Sequence, residues 1–417
     1  MGRRRVVVTG LGAVTPLGND AETFWAGLVA GASGVVTISH FDPARLTSRV
    51  AGEVHDLDVS AVLDRKEARR TDRFVHLALV ATREAMQRAG LPERLEGSAG
   101  EETGAIIASG MGGCQTLLEQ MTIEVQRGPD RLSPFFVPMT IANMAAGHAS
   151  IAFGAQGPSF STVSACASGG NAIGESAEII LRGDAEVMLA GGTEAPVVES
   201  IVGGFTAMRA LSTRNDDPIA ASRPFDQGRD GFVVAEGAAS LVLEEAGHAL
   251  RRGAPILAEV VGYGATADAS HVTLPAPGGR GALRAARRAL EKAGLTPAEV
   301  DHVSAHATST GEGDAAELAC LAALFGPDPS GVSITASKGA IGHSLGAAGA
   351  IGAVAAILAM RDGCVPPTLN LTEPDPLVGP LDCTPLVARE RRIDVALANS
   401  FGFGGHNCAL VFRRWES

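Results

Sequence analysis

The chain has 417 residues, 52 of them glycine, with 46% hydrophobic and 19% charged content and a formal net charge of −12. That balance suits a compact α/β enzyme with one large core or two medium ones, since disorder would need more charge and fewer apolar side chains. The acidic balance argues against nucleic acid as the main partner, while a local basic patch could still meet an acidic protein.

Short β-branched runs alternate with Ala-rich helical stretches. In chain order the pattern predicts a strand over 5–9, an amphipathic helix over 72–89 and a strand over 103–109. A helix over 166–181 and a strand over 185–191 follow, then strands at 239–244 and 256–264 that read as a pair. The remainder is a helix at 281–293, a strand at 300–306, a helix at 316–325, a strand at 333–336, a helix at 346–360 and closing strands at 395–399 and 408–413. The order before about residue 250 loosely recurs after it, so a duplicated α/β core is expected, with halves at 1–255 and 256–417. The repeat is not legible residue by residue. The six cysteines are scattered with no CxxC pair, which argues against a disulfide framework or a cysteine zinc site and fits a reducing compartment. Met1-Gly2-Arg3-Arg4-Arg5 leads into only a short apolar segment, and no apolar run reads as long enough to cross a bilayer. No signal peptide, no membrane span and a cytoplasmic location are the expectations.

Two motifs point to chemistry that their context does not support. Thr9-Gly10-Leu11-Gly12-Ala13-Val14-Thr15 follows a strand, but Thr15 replaces the third glycine of a dinucleotide loop and Pro16 blocks a following helix; it reads as a tight turn. Gly342-His343-Ser344-Leu345-Gly346 is a literal GxSxG with Asp375 and His406 downstream. A nucleophile elbow needs a strand leading directly into the serine, whereas here the predicted strand ends near Ala336.

A different constellation carries more. Cys166, in Ser164-Ala165-Cys166-Ala167-Ser168-Gly169-Gly170, stands at the mouth of a helical small-residue stretch. The helix start would aim unpaired N–H groups at the sulfur and favour thiolate, and the small neighbours would leave room for an acyl group and for oxyanion donors. His306 in Ser304-Ala305-His306-Ala307-Thr308-Ser309-Thr310-Gly311 and His343 after Lys338-Gly339-Ala340-Ile341-Gly342 occupy similar strand-end turns, and Asn399–Asn407 is a glycine-aromatic loop able to swing. One cysteine and two histidines so placed suggest covalent thioester chemistry with imidazoles as donors to a developing oxyanion. Only Lys66, Lys292 and Lys338 are lysine among 34 basic residues, so Lys338 stands where a compact ammonium is needed.

These segments, with Val8–Gly12, Ser133–Pro138, Arg209–Asn215 and Ala221–Asp226, form a collinear set that resembles the β-ketoacyl-acyl-carrier-protein synthases, in particular the type II elongating enzyme. The resemblance implies a thiolase-like α/β fold, its duplicated core in five layers (αβαβα), usually as a homodimer. It implies no cofactor, because the substrates ride on the phosphopantetheine of acyl carrier protein. By the same resemblance Cys166 is the acyl-accepting nucleophile, and His306 and His343, with Lys338 beside them, handle the malonyl thioester. Phe401, Gly402 and Phe403 form oxyanion hole and gate, while Thr308, Thr310 and Thr273 hold the phosphopantetheine arm. Gly110, Met111 and Phe205 line the acyl pocket, and Lys66, Arg69, Arg70, Arg131 and Arg209 present a basic patch to the carrier. Ala307 departs from the family's usual glycine, and Gly352 stands where a glutamate is common, so no metal is assigned. The nearest alternative is the ketosynthase subunit of a type II polyketide system. A CoA thiolase would need a second catalytic cysteine in the terminal glycine loop, where Cys408 reads as core, and a non-catalytic partner subunit would lack Cys166.

Overall fold

In a computed structural model that describes residues 4–416, ten strands form one mixed sheet. They are β1 (Val6–Val14), β2 (Thr103–Ala108), β3 (Ser159–Phe160), β4 (Val187–Glu194), β5 (Gly237–Glu245), β6 (Ala258–Ala267), β7 (His302–Ser304), β8 (Ser333–Thr335), β9 (Val395–Gly402) and β10 (His406–Arg413). Their order across the sheet is β3-β2-β4-β5-β1 followed by β6-β10-β9-β7-β8. The first five strands and the last five follow one plan. The second strand of each set pairs in parallel with the third and fourth, and the fifth pairs antiparallel with the fourth and first. The sets join where β1 meets β6, through Val7 opposite Glu259 and Val8 opposite Ala258. The duplication expected from the order of elements is present in the topology.

Six helices cover the two half-sheets: α1 (Arg73–Arg88), α2 (Met144–Phe153), α3 (Ser168–Arg182), α4 (Arg280–Ala293), α5 (Gly311–Phe325) and α6 (Ala348–Asp362). Strand alternation decides which helix each side chain meets. In β2 and β4, Ala105, Ile107, Val187 and Leu189 pack against α1 and α2. Their neighbours Ile106, Ala108, Met188 and Ala190 face a central layer built from α3 and α6. On the other half-sheet Ala396 and Ala398 face that same layer, while Val395 and Leu397 pack on α4 and α5. The result is five layers, with the strands apolar on both faces. Residues Leu345–Asp362 are long and apolar enough to cross a membrane, contrary to the reading of the sequence, yet 83% of that stretch is buried as the central layer.

Two further readings are corrected. Gly10 and Gly12 do not make a turn; β1 runs through them with a bulge between Val8 and Gly10. A Cβ on either would overlap the carbonyl oxygen of Ala85 or Ala81 in α1, so these glycines let helix and strand touch. Nor do β5 and β6 pair, because β1 lies between them. The sequence reading also passed over β3, α2 and the helices Ala21–Val29, Cys114–Arg127 and Glu199–Ala207.

The second half repeats the glycine device: a Cβ on Gly262 or Gly264 of β6 would overlap the carbonyl oxygen of Ala289 or Ala285 in α4. Gly12→Ala and Gly264→Ala should therefore each destabilise the fold by about 1–3 kcal/mol through overpacking. Chemical denaturation of the two variants checks this, and a neutral effect at either position would refute the close approach.

Candidate active site

The ends of β4, β7 and β9 open on a cavity of about 590 Å³ lined by residues from both halves of the core. Cys166 sits there, buried, in a 3₁₀ turn (Ala165–Ala167) just ahead of α3. Ala165 enters that turn at φ +50°, a strained conformation for a residue with a Cβ. The turn is braced by Ser168, whose hydroxyl accepts from Ser164 N–H at 2.9 Å and donates to Ala165 carbonyl at 2.6 Å. The equivalent turn of the second half (Leu345–Ala347) precedes α6, with Leu345 at φ +44°.

His306 follows β7 and is held by its backbone. Its N–H donates to Glu317 Oε1 at 2.9 Å, and that of Ala307 donates to Oε2 at 2.6 Å. Asn399 Nδ2, within β9, donates to the same carboxylate at 3.2 Å. Ala307 adopts φ +24°, so the methyl that replaces the usual glycine sits on a strained turn kept in place by Glu317. His343 is anchored the same way: its N–H donates to Val233 carbonyl at 2.7 Å and its carbonyl accepts from Ala235 N–H at 2.9 Å. The two imidazoles meet edge to face with centroids 5.4 Å apart; Phe401 lies 5.4 Å from His306 and Phe232 5.4 Å from His343. The Nδ1 atoms of both rings are buried without a partner.

Burial governs the charges here. It pushes the Cys166 thiol up to about 12, against the pull of Lys338 and of the backbone N–H groups of Phe403 and Cys166. The helix end therefore does not hold a resting thiolate, contrary to the expectation from sequence. Burial, aided by the Lys338 charge, holds both His306 and His343 well below the ordinary imidazole value, so both are neutral near pH 7. Lys338 itself is brought down to about 8 by burial, with Glu317 and Cys166 opposing the shift.

Most residues singled out in the sequence reach this one cavity. Gly110, Met111, Phe205, Thr273, Thr308, Thr310, Phe401, Gly402, Phe403 and Arg209 line it beside Cys166, His306 and His343. Lys338 is buried and acts through its field. Thr310 is also the N-cap of α5, its hydroxyl accepting from Gly313 N–H at 3.2 Å and lying 3.1 Å from that of Thr308. Gly402 packs so tightly behind the Cys166 turn that a Cβ there would lie 3.0 Å from Cys166 N. Lys66, Arg69 and Arg70 line a separate surface groove with Arg65, and Arg131 is exposed on its own 3₁₀ turn, so of the five basic positions Arg209 alone opens on the cavity. The GxSxG alternative does not assemble: Asp375 pairs with Arg229 at 2.7 Å. Cys408 is fully buried core, as read from the sequence.

Three site residues escaped the sequence reading. Glu317 is one. Glu194, at the end of β4, accepts from Ser109 Oγ (2.6 Å), Gly110 N (2.8 Å), Met111 N (3.1 Å) and Gly346 N (2.9 Å). Asp268 accepts from Asn407 Nδ2 at 2.9 Å and pins the 401–407 loop. An acidic residue closing the apolar run Val187–Gly192 was the available signal for Glu194.

A cysteine in the turn before α3, one neutral histidine after β7 and a second after the short helix Lys338–Ile341, converging between the halves of a duplicated five-layer core, define a thiolase-fold ketosynthase site. Comparison with known proteins agrees: residues 3–249 match the family described as "Beta-ketoacyl synthase, N-terminal domain" and residues 257–372 match "Beta-ketoacyl synthase, C-terminal domain". The chain belongs to the β-ketoacyl synthase family. It is 47% identical over 99% of both chains to a Synechocystis sp. protein named 3-oxoacyl-acyl-carrier-protein synthase 2, and 45% identical over the same share to its namesake in Staphylococcus aureus. Among solved structures, a β-ketoacyl synthase from Burkholderia phymatum is similar with TM-score 0.90 at 37% identity, covering 99% of this chain and 100% of the other. A type II polyketide ketosynthase complexed with its acyl-carrier protein and bound to a hexaketide has TM-score 0.90 at 34% identity over 100% of both chains.

Because the thiol is protonated at rest, alkylation of Cys166 by iodoacetamide should keep rising between about pH 7 and 9.5, where a free cysteine with pKa about 8.5 levels off. Lys338→Met should slow it further by removing the one positive charge that favours thiolate. A plateau below about pH 8, or no slowing in the variant, would contradict this electrostatic picture.

Proposed function

We propose that the chain is a 3-oxoacyl-acyl-carrier-protein synthase of fatty acid elongation. The convergence of Cys166, His306, His343 and the Phe403 N–H on one cavity carries this reading. In the first half-reaction the Cys166 sulfur attacks the thioester of acyl carrier protein, the carrier thiol leaves with the proton, and the acyl group stays on sulfur. Burial makes the bare thiolate costly, so the proton must leave as the carbon–sulfur bond forms. In the second, malonyl thioester loses carbon dioxide, and the enolate oxygen is met by the N–H donors of His306 and His343. Neutral imidazoles donate a hydrogen bond without surrendering a proton, as an enolate that must stay nucleophilic requires. The enolate carbon then attacks the acyl-Cys166 carbonyl. The oxyanion that forms meets the N–H groups of Cys166 and Phe403; collapse expels the Cys166 sulfur, which takes up one proton from solvent, and releases the 3-oxoacyl carrier.

Thr308, Thr310 and Thr273 are assigned to the phosphopantetheine arm, and Gly110, Met111 and Phe205 to the acyl chain. Each methylene buried there adds about 0.8 kcal/mol, so chain-length preference follows from how deep that pocket runs. The Lys66, Arg69 and Arg70 groove and Arg209 at the cavity rim are assigned to an acidic carrier protein, the class of partner present in the polyketide neighbour. That neighbour also keeps a polyketide ketosynthase as the second reading, although the curated relatives named for fatty acid elongation are more similar in sequence.

Incubation with acyl carrier protein bearing a fatty acyl group should add that acyl mass to Cys166, and Cys166→Ala should abolish both adduct and condensation. His306→Ala and His343→Ala should each lower malonyl decarboxylation by roughly 10²-fold or more while still permitting acylation. Normal decarboxylation in either variant would remove that histidine from the mechanism.

We further assign a homodimer. Leu117, Leu118, Met121 and Val125 on the helix Cys114–Arg127, Val137, Ile141, Ile151 of α2 and Phe160 on the sheet-edge strand β3 are exposed on successive, mutually packed elements. Such a surface beside an unpaired strand edge calls for a cover. Light scattering should give twice the 42.5 kDa chain mass, and Phe160→Lys should shift it toward one chain. A monomeric wild type would refute the assignment.

A further inference from the structure

We propose that His40, Glu53 and His55 form a binding site for a borderline divalent cation of the zinc type, separate from the cavity of Cys166. One ligand atom from each residue lies within 4.8 Å of the others. His40 Nδ1 stands 3.8 Å from Glu53 Oε1, and His55 Nε2 stands 3.8 Å from Glu53 Oε2. Ligands about 2.0–2.1 Å from a tetrahedral zinc lie about 3.3 Å apart, so binding draws the two imidazoles inward by up to about 1.5 Å from the 4.8 Å span of the cluster. The imidazoles can do this because their side chains keep 26% and 53% exposure, whereas the Glu53 side chain has none.

Glu53 is already built in. Its Oε1 accepts from Ser39 N at 2.9 Å and His40 N at 3.1 Å, and its Oε2 accepts from Ser39 Oγ at 2.6 Å. All of those donors are neutral. The nearby guanidinium of Arg73 is spent on Glu236, bidentate at 2.6 and 2.7 Å. A buried carboxylate thus faces two imidazoles with no cation hydrogen-bonded to it, an arrangement that favours a positive ion. The nitrogens are sorted for the task. With Nδ1 of His40 turned to Glu53, its Nε2 faces Glu236 Oε1 at 3.7 Å, beyond hydrogen-bond range but on the side where a carboxylate would orient a metal-binding imidazole once the ring moves in. Two nitrogens and one oxygen with a position left for water suit zinc, cobalt or nickel better than calcium or magnesium.

Occupancy would fasten residues 39–55 beside Glu236, which follows the short strand Val234–Ala235. That segment bears on the site, since Glu236 N–H donates to Gly52 carbonyl at 3.0 Å and Ala235 N–H to His343 carbonyl at 2.9 Å.

The test uses the metal-depleted full-length protein titrated with Co²⁺, read by visible absorption, and with Zn²⁺, read by calorimetry and thermal melting. One ion per chain should bind at micromolar or lower concentration, with d–d bands but no thiolate-to-cobalt charge transfer. His55→Asn and His40→Asn should each weaken binding at least tenfold and cancel the zinc-induced rise in melting temperature, leaving the metal-free melting temperature unchanged. Binding equal in wild type and His55→Asn would overturn the site. So would no binding up to millimolar Zn²⁺, or a thiolate band that Cys166→Ala removes.

Discussion

The buried carboxylate of Glu317 is the constraint on which the site depends. It gathers the N–H groups of His306 and Ala307 from the end of β7 and the amide of Asn399 from β9 into one cluster, and its charge opposes the loss of a proton from Lys338. Desolvation raises Glu317 itself, so each of these contacts is what keeps an ionised carboxylate tolerable in the core. Glu194 plays the matching part at the end of β4, where it ties the Gly110–Met111 turn to Gly346 ahead of α6. One buried carboxylate in each half, on β4 and on α5, thus fixes the turns that surround the cavity.

Much of the site was legible in the sequence because it resides in turns. Cys166, His306 and His343 each follow a strand or precede a helix in a small-residue context, and such positions announce themselves as breaks in hydrophobic periodicity. The bracing groups were not legible for the opposite reason. Glu317 lies mid-helix and Glu194 at a strand end, and a charged residue in such a place looks solvated until the layers around it are known. The basic surface positions divide likewise: proximity in sequence joined Lys66 to Arg70, while Arg131 and Arg209 belong to other elements.

The glycines show how a correct pattern can be given the wrong cause. Gly10 and Gly12 looked like a turn and are a contact surface for α1, repeated by Gly262 and Gly264 under α4. The pairs Ala81/Ala85 and Ala285/Ala289 complete the same motif on the helices, so the internal repeat appears residue by residue only in the helix–strand contacts, which the sequence does not reveal. The small residues after Cys166 were read as space for substrate. They instead admit the crossing of α3 with α6: a Cβ on Gly169 would lie 2.9 Å from Gly346 carbonyl, and one on Gly349 would lie 2.6 Å from Gly170 N. The open cavity is lined instead by Met111 and Phe205 beside the thiol.

That crossing also explains why the thiolate reading failed. A helix start that approached the central layer from solvent would stabilise a thiolate through its free N–H groups. Here the start of α3 is sealed between two half-sheets, and desolvation outweighs those dipoles. The same burial that withholds charge from sulfur withholds it from His306 and His343, and Lys338 adds to the effect on the histidines while opposing it at the cysteine. A single buried ammonium therefore sets the two half-sites apart, favouring anion at sulfur and neutrality at the imidazoles. An arginine would carry the same sign but could not sit near neutrality itself, which is the physical content of a lysine retained in a chain that otherwise uses arginine.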